Sequence, residues 1–203
     1  MRGRPQSIKA ETILDAAGDV FREHGHGATT AEIASRAGVS EGILFHRYKN
    51  KEALLAAVIH RETEPPQLLR EMVGRAGRGS LSANIRNLIE MVLDLFMRVH
   101  PLFELGMGSA TSAAFRDALI ANPEKPAPVR MVELLSRYLR AEICAGRVRK
   151  VDTVCVARAI MGGCMDYTHA KHFFAADDDR GEFVRGLVDF ALHGITASDH
   201  PEE

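Results

Sequence analysis

Residues 29–48 read TTAEIASRAGVSEGILFHRY, an order that specifies two short helices joined by a tight turn. Thr29 and Glu32 make the T-x-x-E of a capping box, in which the threonine oxygen and the glutamate each satisfy an unpaired backbone N–H at a helix start. Ile33, Ala34 and Ala37 then fall on one side at helical spacing, and Gly38 supplies the residue that ends a helix. Val39 can plug the corner. Ser40 is a good N-cap for a second short helix through Tyr48, with Leu44 as its inward anchor. The small side chain of Ala34 lets the two helices approach closely.

Working outward from this stretch, Ile13, Ala17, Val20 and Phe21 recur at helical spacing over 7–24, and Gly25 and Gly27 stop that helix. Asn50 caps a fourth helix with Leu54, Leu55, Val58 and Ile59 on its buried side. Pro65-Pro66 interrupts the pattern, and Gly74, Gly77 and Gly79 loosen the next segment, so a domain boundary falls here: residues 6–66 form one domain and 67–203 the other. In the second, 82–100 reads as a long helix, Pro101 can open a shorter one, and 122–128 is a proline-rich loop. Helices over about 129–145, 151–174 and 179–195 complete the chain. Helix formers dominate, tryptophan is absent and β-branched runs are scarce, so the class is all-α.

The net charge of −1 argues against a chain that coats nucleic acid along its length, but the average conceals an asymmetry. Residues 1–51 hold eight Lys/Arg against six Asp/Glu, a net of +2, which leaves −3 for the remainder. A basic head on an acidic body suits local contact with phosphates, since a cationic patch displaces counterions whatever the total charge. Cys144, Cys155 and Cys164 show no CxxC spacing, so neither a disulfide framework nor a zinc site is indicated, and reduced thiols in a cytosol are expected. The N-terminal MRGRPQSIKAET has charge with no apolar run behind it, and no stretch reaches the roughly 18 apolar residues needed to span a bilayer. A cytoplasmic protein without a membrane partner is the expectation.

Two short helices with a glycine turn form the helix-turn-helix geometry, in which the first lies across a DNA backbone and the second is offered to the major groove. The run ILDAAGDVFREHGHGATTAEIASRAGVSEGILFHRYKNKEALLAAV, residues 13–58, resembles the N-terminal domain of the TetR family of bacterial helix-turn-helix transcriptional regulators. The resemblance implies an N-terminal three-helix DNA-binding domain, a C-terminal helical unit for ligand binding and dimerisation, and no catalysis. By it, Thr29 and Thr30 are phosphate contacts at a helix N-terminus, Ser40 to His46 is the reading segment with Gly42, Ile43 and Phe45 outward, and Lys51 is a phosphate-binding lysine. Arg2 and Arg4 could reach an adjacent minor groove. The family often has Thr at the position of Ile43 and Tyr at that of Phe45. Losing two hydroxyls removes two hydrogen bonds, while Ile43 can touch a thymine methyl, so an altered sequence preference is expected.

Beyond about residue 61 the resemblance thins to AGRVRKVD (145–152) and LVDFALHGI (187–195). Ala157, Ile160, Met161, Cys164 and Thr168, then Phe183, Leu187, Phe190 and Ala191, make apolar stripes on the last two helices that a second subunit would cover. A homodimer carries two reading heads, which suits a palindromic operator. Six methionines lie between residues 91 and 165, and Phe96, Phe103, Met107, Met131, Leu135, Met161 and Met165 could line a pocket for a small apolar ligand. Arg158, Asp166, Tyr167 and His169 are its possible polar handles. Asp166, His169 and His172 recur every three residues, a spacing open to a divalent metal, yet no fourth ligand is convincing and no metal site is read here. An all-α metal-binding protein or enzyme using these three, or an architectural DNA-binding dimer without a ligand, are the alternatives. No nucleophile has a recognisable base, no phosphate loop succeeds a strand, and no cofactor is implied.

Overall fold

A computed structural model describes residues 10–64, 67–108, 112–121 and 127–195, and among them every regular element is helical. The helices are α1 (Ala10–His24), α2 (Thr30–Ala37), α3 (Glu41–Arg47), α4 (Lys51–Glu62), α5 (Gln67–Gly74), α6 (Leu81–Met107), α7 (Ser112–Ile120), α8 (Ala127–Cys144), α9 (Thr153–Phe173) and α10 (Arg180–Ile195), with a 3-10 turn at Gly25–Gly27. Two compact units result. One takes its described residues from Met1–Thr63 and Val99–Pro126, the other from Glu64–Arg98 and Ala127–Glu203.

In the first unit α1 packs on α2 and α4, and α7 packs on α4. Ile13, Val20, Phe21, Ile33, Leu54 and Val58 are buried between these helices, each contributing about 1.5–3 kcal/mol by leaving water. Ion pairs lock the helices in register. Arg61 reaches Asp15 at 2.7 Å and Arg22 reaches Glu62 at 2.8 Å, both tying α4 to α1. Phe115 of α7 is fully buried against α6 at Gly106, where a Cβ would stand 2.5 Å from the ring, so only glycine admits the aromatic there.

In the second unit α8 packs on α5 and α9, and α10 packs on α9. Ile85, Leu88, Ile89 and Val92 of α6, Leu135 and Leu139 of α8, and Ala157 and Ile160 of α9 fill its interior. The fully buried Glu142 is matched by Arg147 Nε at 3.0 Å and accepts the Gly77 N–H at 3.1 Å. These bonds hold the glycine-rich segment before α6 against the end of α8.

Several sequence expectations are corrected. Pro101 does not open a new helix but lies inside α6. An interior proline costs about 3 kcal/mol through a lost hydrogen bond and a steric clash, and here the burial of Val99, Leu102 and Leu105 on either side offsets it while the ring faces solvent. Helices α5 and α7, not read from the sequence, are eight and nine residues long and come after proline or glycine-rich segments. The stripe of Ala157, Ile160, Met161, Cys164 and Thr168 is buried by this chain's own helices, so it is not the surface a second subunit would cover. On α10, Ala191 is buried, Phe183 stacks on Tyr167 with ring centroids 4.6 Å apart, and Leu187 is half-buried, leaving Phe190 outward at 65 % exposure.

Candidate DNA-binding interface

Four local capping interactions build the two-helix corner. Thr29 is the N-cap of α2 and its hydroxyl accepts the Glu32 N–H at 3.2 Å. The Glu32 carboxylate lies 3.0 Å from His24 Nε2, which joins the start of α2 to the end of α1. Gly38, at φ 68°, ends α2 in the left-handed region, and the Val39 N–H donates back to the Ala34 carbonyl at 2.9 Å. Ser40 then caps α3 through the Ile43 N–H at 3.4 Å, and Asn50 caps α4 through the Ala53 N–H at 2.7 Å. N-caps of this kind contribute about 1 kcal/mol each, so the turn is set by its own residues before any long-range packing.

Leu44 is the pivot. It is fully buried, and around it Gly42, Ile43, Phe45 and His46 are exposed, with Ile43 at 50 % and Phe45 at 44 %. A seven-residue helix held by one buried leucine and two caps thus presents an apolar and imidazole-bearing face to solvent. Thr29 is exposed. Thr30 is half-buried and donates its hydroxyl to Glu41 Oε1 at 2.7 Å, across the corner from α2 to α3. The Lys51 ammonium donates to the His26 carbonyl at 3.0 Å, which holds it beside the turn that precedes α2. Arg2 and Arg4 lie outside the described residues.

The head's basic residues divide by role. Arg36 makes a two-pronged bond to the Glu23 carboxylate at 2.7 and 2.6 Å, which holds that carboxyl below the usual range, and Arg22 is committed to Glu62. Both brace the helices. Arg47 and Lys49 are exposed at the end of α3, and sequence reasoning did not single them out, although they come directly after the reading segment. Tyr48 caps the C-terminus of α3 half-buried, and burial raises its phenol pKa, so it remains a donor at neutral pH.

Residues 13–58 match the family of bacterial regulatory proteins, tetR family. A relative named HTH-type transcriptional regulator BetI, from Klebsiella pneumoniae (strain 342), is 30 % identical over 142 residues, covering 68 % of this chain and 67 % of that one. The chain belongs to the TetR family. It is a DNA-binding transcriptional regulator in a family of regulators, not of enzymes, and the reading of Asp166, His169 and His172 as catalytic groups is set aside. The fold agrees along nearly the whole length. A TetR-family transcriptional regulator from Mesorhizobium loti MAFF303099 superimposes with a TM-score of 0.75 at 18 % identity, covering 92 % of this chain and 96 % of that one. The transcriptional regulator FadR from Bacillus subtilis, solved in complex with stearoyl-CoA, does so with a TM-score of 0.66 at 18 % identity, covering 92 % and 99 %.

The ligand candidates named from the sequence are distributed unevenly. Met131, Leu135 and Met161 are buried in the second unit, Tyr167 is buried and donates to the Asp178 carbonyl at 3.3 Å, and Phe96 and Met165 are half-buried. Arg158, Asp166 and His169 are exposed. Phe103 and Met107 belong to the first unit, where Phe103 meets Phe115 edge-on at 6.3 Å and Met107 is exposed. A surface groove of about 610 Å³ runs along α8 and α9, lined by Val129, Val132, Arg137, Arg140, Val154 and Arg158 among others. His172 Nδ1 lies 3.0 Å from the Thr168 carbonyl, and among the described residues no three His, Cys, Asp or Glu side chains converge as metal ligands would. No helix among them is long and apolar enough to cross a membrane.

Proposed function

We propose that the protein is a cytoplasmic repressor that binds a palindromic operator as a homodimer through its last two helices and leaves it when a small apolar ligand occupies the helical body. The observation that carries the DNA-binding half is the α3 face: Leu44 is fully buried while Gly42, Ile43, Phe45 and His46 around it are solvent-exposed. Nothing among the described residues buries that face, and the width of a helix matches the major groove. In this reading residues 6–66 are the DNA-binding domain. Thr29, Thr30 and Lys51 hold phosphates, Ser40 orients the start of α3, Ile43 and Phe45 take thymine methyls, His46 hydrogen-bonds a base edge, and Arg2 and Arg4 enter the minor groove.

The ligand half rests on the methionine-rich interior around Met131, Leu135 and Met161, with Phe96 and Met165 beside it, and on the stearoyl-CoA bound by the Bacillus subtilis regulator of like fold. The mechanism is a population shift, in which ligand favours a state whose two α3 helices no longer match successive major grooves. Helix α4 is the proposed route. Lys51 opens it, and the chain passes to the second unit directly after Thr63.

Selection of binding sites from random duplex DNA tests the core of this reading. A palindrome with half-sites about one helical turn apart, or a multiple of it, is expected. Transcription from a promoter carrying that site should fall when the protein is added and recover with the ligand. No enriched sequence would remove the repressor reading, and a ligand that binds without changing operator affinity would remove the population shift.

A further inference from the structure

Gly162 sits in the middle of α9, where glycine costs about 1 kcal/mol relative to alanine. Its φ is not positive, and a Cβ built there meets nothing within 4 Å, so nothing among the described residues explains it. The next residue differs: a Cβ on Gly163 would stand 3.6 Å from Leu187 of α10. Gly162 instead lies on an exposed stripe with Cys155, Arg158, Asp166, His169 and Phe173, which recur at three- and four-residue spacing along the whole helix. A bare backbone at the centre of such a stripe is what close approach by another helix requires.

We infer that the other helix is α9 of a second copy, packed antiparallel with the two-fold axis at Gly162, and that Arg158 of each copy pairs with Asp166 of the partner subunit. The inference rests on the homodimer reading and adds its register. In an antiparallel pair centred on 162, residues equally far before and after the centre face each other. Arg158 stands four before and Asp166 four after. Cys155 and His169 stand seven to either side. Neither Arg158 nor Asp166 has an ion pair within its own chain among the described residues, although both are exposed. The flanks repeat the pattern. The basic run Arg147-Val148-Arg149-Lys150 precedes α9 and the acidic turn Asp177-Asp178-Asp179 comes after it, so antiparallel packing brings opposite charges together at both ends. Parallel packing would set Arg158 against its own copy and acid against acid. Phe173, 61 % exposed, gives the outer turns apolar surface to bury. Exposed ion pairs add little affinity, so the apolar and close backbone contact carries the binding and the charges select direction and register.

Sedimentation of the full chain tests this with four variants. Wild type is expected to be dimeric. Arg158→Asp places two acids opposite each other twice per dimer, Asp166→Arg does the same with two bases, and each raises the dimer dissociation constant on the order of a hundredfold. Mixed one to one, the two variants pair every acid with a base and form a heterodimer with an affinity near that of wild type. The double reversal in one chain restores the homodimer. Gly162→Leu keeps the wild-type circular dichroism, because its side chain has open space within the chain, yet is monomeric and melts at a temperature that no longer depends on protein concentration. Single reversals that dimerise like wild type, or a mixture no tighter than its components, overturn the register while leaving the homodimer standing. A wild type that is monomeric at every concentration overturns the homodimer and the register together.

Discussion

Replacing Lys51 with alanine separates a phosphate contact from a structural one. The ammonium lies 3.0 Å from the His26 carbonyl on an exposed surface, a bond whose loss costs about 1 kcal/mol of stability. If the same ammonium also neutralises a phosphate, its removal changes how binding responds to salt. Each neutralised phosphate on B-DNA contributes about 0.9 to the slope of log K against log salt, so a dimer on a palindrome loses about 1.8 of slope with both copies of Lys51 gone. Over a rise from about 50 to about 200 mM salt, wild type should then weaken about twelvefold more than the variant does. The assay is fluorescence anisotropy on the selected operator at four or more salt concentrations, with Lys51→Arg, which keeps the charge, expected to restore the slope. Equal slopes for wild type and Lys51→Ala would refute the phosphate assignment. A uniform loss of affinity with a lowered melting temperature would leave Lys51 as a brace between α4 and the turn at Gly25–Gly27.

The packing dictates other outcomes. Leu44→Ala removes the buried pivot of α3 and should cost about 2–5 kcal/mol in urea unfolding, whereas Ile43→Ala and Phe45→Ala should leave unfolding unchanged and alter the selected operator sequence. Gly106→Ala drives a methyl to 2.5 Å from the buried Phe115 ring and should destabilise by about 1–3 kcal/mol, with partial recovery in Gly106→Ala/Phe115→Leu, read by thermal melting. Burial pushes the Cys164 thiol up to about 12, so at pH 8 it stays protonated and a thiol reagent should label exposed Cys144 in the native protein but reach Cys164 only after denaturation.

The corner between α2 and α3 was legible in the sequence because each of its determinants acts within about five residues: Thr29 on Glu32, Gly38 and Val39 on Ala34, Ser40 on Ile43, Asn50 on Ala53. Elements that depend on distant partners were not. Pro101 has the local signature of a helix start, and only the burial of its neighbours keeps α6 continuous. On helix α9 periodicity found the apolar stripe of Ala157, Ile160 and Cys164, but it could not tell whether helices of the same chain or a second subunit cover it. The packing of α8 and α10 decides between them. The methionines posed the same difficulty, since the composition of an interior and that of a ligand pocket are alike, and Met131 and Met107 differ in burial for reasons that lie outside their own helices.

Charge illustrates how far a count stands from a surface. The excess of positive charge in residues 1–51 includes Arg22 and Arg36, and both are engaged by carboxylates that fasten α1 to α4 and to α2. Close to α3 in sequence lie Arg47, Lys49 and Lys51, with Glu41 at the helix start accepting from Thr30. An acid at that place repels phosphate, so Thr30 can serve as a phosphate donor only by giving up its bond to Glu41. That repulsion acts on the backbone and not on the bases, so it lowers affinity for every duplex alike, and the base contacts of α3 must supply the surplus that holds the protein on its operator.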